Sequence, residues 1–118
     1  MSIDTDRAEV EQSIKNARKT LDQAKSLERL RSNRDFKALI LDGYFREEAI
    51  RLVHLRSDPA YQSAEKQALI LLDIDAIANL NSYFRTVDAL GETARKALAD
   101  GEETLEALSQ DEQDEVAE

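Results

Sequence analysis

The stretch "FRTVDALGETARKALADGEETLEAL" (residues 84–108) decides the fold. Phe84, Val87, Gly91, Ala94, Leu98, Gly101, Leu105 and Leu108 follow one another in unbroken alternating steps of three and four. A stripe of that period, near 3.5 residues, is the seam of a helix that packs lengthwise against another helix. Each glycine costs a helix interior about 1 kcal/mol relative to alanine. A helix that keeps Gly91 and Gly101 on its seam is therefore expected to lie close against its partner. Upstream, Ile70, Ile74, Ile77 and Leu80 lead into the same stripe. The last helix is expected to start near Pro59 or after Ser63 and to run to about Ser109.

A matching stripe lies at the other end of the chain. Asp6 followed by Glu9 reads as a capping box, and Val10, Ile14, Ala17, Leu21 and Ala24 then step by four, three, four and three. Leu27 and Leu30 continue the stripe, which predicts a first helix over about 6–31, roughly 38 Å long at ~1.5 Å per residue. Charge separates the two ends. Between Lys15 and Lys37 eight basic residues face three acidic ones, whereas from Ala97 to the end nine carboxylates face no basic residue. Apolar stripes of one period and opposite charge predict that the two helices pair antiparallel. Val10, Ile14, Ala17 and Leu21 are expected to meet Phe84, Val87, Gly91, Ala94 and Leu98.

The middle of the chain is more compact. Ser32 with Asp35 signals a helix start, and Phe36, Leu39 and Ile40 share a helical face. Asp42-Gly43 is expected to end that helix, with Gly43 in the left-handed conformation. A hairpin turn at Asp-Gly is the competing reading. It is disfavoured because Ala38, Leu39, Ile40 and Leu41 do not alternate. A further helix over about 45–56 has Phe45, Ala49, Leu52 and Val53 as its stripe and Glu47–Arg51 as an i,i+4 pair. Ser57-Asp58-Pro59 ends it and caps the next. Phe36, Phe45 and Phe84 are expected to join Leu39, Leu52 and Ile77 in a small core. Tyr44, Tyr61 and Tyr83 would stand at its edge. The fold expected is all-α: an elongated, coiled-coil-like antiparallel helical hairpin with a short two-helix elbow. One helical domain would span 1–109, with helices over 6–31, 34–42, 45–56 and 59–109, and 110–118 would be a flexible acidic tail.

Composition limits the chemistry. The 118 residues suit one domain and contain no cysteine, one histidine, one proline and three glycines. Disulfides, thiolate chemistry and Cys/His zinc sites are excluded. His54 lies beside the stripe of its helix and reads as a surface histidine. Asp73 and Asp75 point about 200° apart on a helix and cannot share an ion. Glu102, Glu103 and Glu106 read as a solvated acidic face. No glycine-rich phosphate loop occurs, so no catalytic residue, metal or cofactor is expected. No apolar run reaches the ~18 residues of a membrane span. The polar, acidic start of the chain is unlike a secretory signal, which favours a cytoplasmic protein. The formal net charge of −9 argues against nucleic acid as a partner. Leu55, Leu69, Leu71 and Leu72 lie partly off the stripes and leave apolar surface for another subunit or partner.

The run "SNRDFKALILDGYFREEAIRLVHLRSDP" (32–59), with "IDAIANLNSYFRTVDALGETARKALADGEETLEAL" (74–108), resembles small uncharacterised all-helical proteins encoded by tailed bacteriophages. The resemblance rests on "NRDF" at Asn33–Phe36, "GYF" at Gly43–Phe45 and "EA.RLV.L" from Glu48 to Leu55, and it spans most of the chain. It implies a non-enzymatic structural or assembly protein of a phage: a virion, scaffold or head-core component acting through contacts with other phage proteins or with itself. Such a protein would occupy the host cytoplasm during infection and, if retained, the virion. Arg34, Lys37, Tyr44, Phe45 and Arg46 are the candidate partner contact. The alternative is a small acidic phage protein that binds and inhibits a host DNA-handling or RNA-polymerase protein.

Overall fold

The structure, a computed structural model, describes residues 2–117. Among them every regular element is helical: α1 (Ile3–Ser32), α2 (Arg34–Phe36), a π-helical segment (Lys37–Glu48), α3 (Ala49–Ser57), a 3-10 turn (Pro59–Tyr61) and α4 (Ala64–Ala117). The fold is the all-α hairpin that the periodicity predicts. Its contacts divide into two compact units. The first combines the chain up to Lys25 with the chain from Val87 on, and the second spans Ser26–Thr86.

In the first unit α1 and α4 run antiparallel. Ala17, Leu21 and Ala94 are buried together, with Ala97 and Leu98 packed against them. Ile14 is also buried, and Val10, Val87, Leu105 and Leu108 are half-buried along the same seam. The two seam glycines lie against α1. A Cβ built on Gly101 would stand 2.6 Å from Ile14 Cγ1, and one built on Gly91 would overlap Ala24 Cβ. Close backbone approach therefore explains glycines that helix propensity alone disfavours. Ion pairs cross the seam, among them Arg7 Nη2–Glu112 Oε2 at 2.6 Å and Arg18 Nη2–Glu102 Oε1 at 3.8 Å. Arg7 Nη2 is closed off from water and has no aligned hydrogen-bond acceptor. Glu112 therefore serves it as a counter-ion.

Both long helices extend beyond their expected ends. α1 begins at Ile3 rather than Asp6, because Ser2 Oγ accepts the Thr5 N–H at 3.2 Å and caps the helix. Asp4 and Asp6 lie in the first turn, where carboxylates suit the helix dipole. α4 does not stop near Ser109; it stays helical through Ala117. Gln110 donates to Asp114 Oδ1 at 3.2 Å, and Glu112 is held by Arg7. The expected flexible tail is thus helical over 110–117, and Glu118 lies outside the described residues.

In the second unit the helix does not break at Asp42-Gly43. Gly43 has no positive φ and sits inside twelve residues of π-helix. Its missing Cβ matters locally, since a Cβ there would approach the Ala38 carbonyl oxygen to 3.0 Å. The wide turn has a consequence for packing. Phe36 and Phe45 are nine residues apart, which in an α-helix of 3.6 residues per turn is two and a half turns and opposite faces. Closing turns i→i+5 brings both round to one side. The rings of Phe36 and Phe45 lie 6.1 and 5.7 Å from that of Phe84. The same wide turn moves Leu39 off the face of Phe36, and Leu39 is 71% exposed rather than in the core. The core here is Leu52, Ile70 and Ile77, with Tyr44, Phe45, Ala49, Leu55 and Ile74 packed against it.

Short caps organise the connections. Asn33, not Ser32, caps the second helix, its Oδ1 accepting the Phe36 N–H at 2.9 Å. Asp58 Oδ1 accepts the Ala60 N–H at 2.9 Å, and Ser63 Oγ accepts the Lys66 N–H at 3.2 Å where α4 starts. Gln62 and Gln67 both donate to the Arg56 carbonyl, at 2.9 and 3.1 Å, tying the end of α3 to the start of α4.

Gly91→Ala gains helix propensity but forces Ala24 aside. Overpacking costs about 1–3 kcal/mol against a gain of about 1. Urea unfolding is expected to show a net loss of about 1 kcal/mol. Ala24→Gly in the same chain should recover the overpacking loss. Gly101→Ala meets Cγ1 of the buried, β-branched Ile14, which has little freedom to yield, and is expected to be destabilising as well.

Candidate interaction surface

The second unit carries most of the exposed apolar surface. Leu39, Ile50, Val53, Leu69 and Leu72 are each more than half exposed. None belongs to the buried seam of its helix. The packing of α4 beneath the π segment and α3 leaves a groove on each side. One groove, of about 440 Å³, is lined by Leu39, Gly43, Tyr44, Glu48, Asp73 and Ala76 over a floor of Leu52 and Ile77. The other, about 250 Å³, is lined by Phe45, Ala49, Val53, Ile74, Ala78 and Asn81, again over Ile77. Helical geometry explains the pair: at about 100° per residue, Asp73 and Ala76 fall on one side of Ile77, and Ile74, Ala78 and Asn81 on the other.

The expected partner contact is divided. Arg34, Lys37 and Arg46 are exposed. Tyr44 and Phe45 are half-buried and pack on the Leu52 cluster, their rings 5.9 Å apart. The two aromatics are thus largely occupied in support of the core, and only the cations stand free of it. Of the leucines expected to lie off the stripes, Leu69, Leu71 and Leu72 are exposed, while Leu55 joins the core. Leu39, Ile50 and Val53 are exposed positions that sequence reasoning had placed on stripes or passed over. A wider period across 37–48 was the signal that would have singled out Leu39.

The ionisable groups are surface groups. His54, Asp73 and Asp75 are exposed, and among the described residues no three potential ligands gather to hold a metal ion. No described helix is long and apolar enough to cross a membrane. Arg51 pairs with Glu48 rather than with Glu47. Its Nε donates to both Glu48 carboxylate oxygens at 3.1 and 3.0 Å, and its Nη2 closes on Oε1 as well. A fork of this kind suits a guanidinium. The hydrogen bonds from Arg51 hold the Glu48 carboxyl below its ordinary pKa, against a small opposing desolvation and with help from the Arg51 charge. The same bonds raise Arg51, with Asp73 adding a weaker attraction.

Comparison with known protein families, with curated proteins and with solved structures finds no match to this chain.

A carboxyl whose folded pKa is depressed stabilises the fold above the ordinary glutamate range, and that contribution is lost as pH falls through the depressed value. In a side-chain NMR titration Glu48 is expected to protonate below the ordinary glutamate range, and Arg51→Ala should return it toward that range. A Glu48 midpoint that Arg51→Ala leaves unchanged would contradict the pair.

Proposed function

We propose that this protein is a non-enzymatic structural or assembly protein of a tailed bacteriophage, acting through protein–protein contacts in the virion, scaffold or head core. The observation that carries this reading is the aliphatic surface of the second unit, where Leu39, Ile50, Val53, Leu69 and Leu72 are more than half exposed. Apolar side chains held out by a packed helical core favour burial against another protein. The resemblance of residues 32–59 and 74–108 to small phage proteins supplies the biological setting. The site of action would be the infected host cytoplasm, and the particle itself if the protein is retained.

One observation favours a second reading. From Ala97 onward α4 has no basic residue, and it stays helical to Ala117, so its carboxylates are displayed on a fixed frame. A rod of regular negative charge suits the basic surface of a host protein that handles DNA. In that reading the protein is a small acidic inhibitor.

Mass spectrometry of purified particles and their precursors is expected to find this chain in one or both at a fixed ratio to the major head protein. Its absence from both would contradict the assembly reading. The inhibitor reading predicts instead salt-sensitive binding to a host DNA-handling protein, competed by duplex DNA and lost when Asp111, Asp114 and Glu115 are neutralised to Asn, Asn and Gln.

A further inference from the structure

We propose that the protein associates head to tail with further copies of itself, through the two flanks of its second unit. This deepens the assembly reading and rests on it.

The two grooves differ in charge and in relief. The first bears Leu39 at its lip, 71% exposed, with the carboxylates of Glu48 and Asp73 in its wall. Arg51 engages Glu48 closely and attracts Asp73 more weakly, so two carboxylates share one guanidinium and this flank keeps a net negative charge. The second groove has no charged residue in its lining. Basic residues flank it by helical spacing. Arg46 directly follows Phe45 of the lining in the chain, and Arg85 lies one turn beyond Asn81 and two beyond Ala78. Both are exposed. Asp75, some 200° round α4 from Ile77 by helical spacing, falls on the back of that helix and belongs to neither flank.

One flank is thus an aliphatic knob beside carboxylates, and the other a dry groove beside guanidiniums. Leu39 of one copy fits the groove of the next, between Phe45, Val53 and Ala78, while Asp73 approaches Arg46 and Arg85. Because the flanks lie on opposite sides of α4, each copy keeps a free knob and a free groove after pairing. Contacts of this heterologous kind build rings or open chains rather than a closed pair.

Sedimentation velocity over a range of protein concentrations tests this on the full chain. Wild-type protein is expected to form trimers and larger species, fewer at high salt because the charges are exposed. Leu39→Glu and Val53→Glu alter exposed residues, and each should be monomeric. Mixed in equal amounts they should form a heterodimer and nothing larger, since one variant retains the knob and the other the groove. Charge exchange gives a second route should either variant lose its helical circular dichroism. Asp73→Lys alone and Arg46→Glu with Arg85→Glu should each be monomeric, and the two together should pair. A wild-type protein that stays monomeric, stops at a dimer, or associates undiminished when Leu39 is changed would overturn the proposal. Monomeric protein that is still found in particles would overturn self-association and leave the assembly reading standing. Chains in solution with no protein in particles or precursors would do the reverse.

Discussion

The close approach of α1 and α4 at their smallest side chains is the constraint on which the first unit depends. Gly91 faces Ala24 with no room for a methyl group, Gly101 faces Ile14, and Ala17 and Ala94 share one buried cluster. Small residues let two backbones come together, and closeness then allows dispersion contacts that large side chains would hold apart. The charges serve another purpose. Arg18–Glu102 is more than half exposed at both ends, and pairs of that kind contribute only ~0–1 kcal/mol. With Arg7–Glu112 they fix direction: positive on α1 finds negative on α4 only when the helices run antiparallel.

The second unit solves a different problem. Phe36 and Phe45 must reach Phe84 from a single helix, and α-helical spacing would put them on opposite sides. The π segment removes that conflict. Aromatic contacts of this geometry are worth about 0.5–1.5 kcal/mol each beyond area burial, which helps to offset the poorer hydrogen-bond stacking of the wide helix. A side effect is to expose Leu39, and that exposure gives the surface its apolar knob. The surface therefore follows from how the core is built.

The seams were legible because period and residue size act together. Ile14, Ala17, Leu21, Gly91 and Ala94 stand out in the sequence, and each is buried. The helical class followed from the same pattern. What was not legible came from two local choices. Asp42-Gly43 carries the usual marks of a helix end, but the Phe36–Phe84–Phe45 contacts favour continuing the helix, and tertiary packing overrides the stop signal. The acidic segment after Ser109 lacks a strong stripe of its own; the Arg7 charge across the seam and the Gln110–Asp114 bond accompany its helical form. For the surface, Leu69 and Leu72 were visible as residues off the stripe. Leu39 was hidden because its α-helical phase placed it inside.

Distance measurement between paired nitroxide labels tests the antiparallel seam most directly. The labelled protein is diluted into unlabelled protein so that only distances within one chain contribute. With α1 and α4 adjacent at the usual ~8–10 Å between axes, labels at Arg7 with Glu112 and at Arg18 with Glu102 should both give short, narrow distributions. Labels at Arg7 with Glu102 should be clearly farther apart, because ten residues offset them by roughly 15 Å along the helix axis. Long or broad distances for both matched pairs would contradict the seam, and with it the account of Gly91, Ala24 and the charges that flank them.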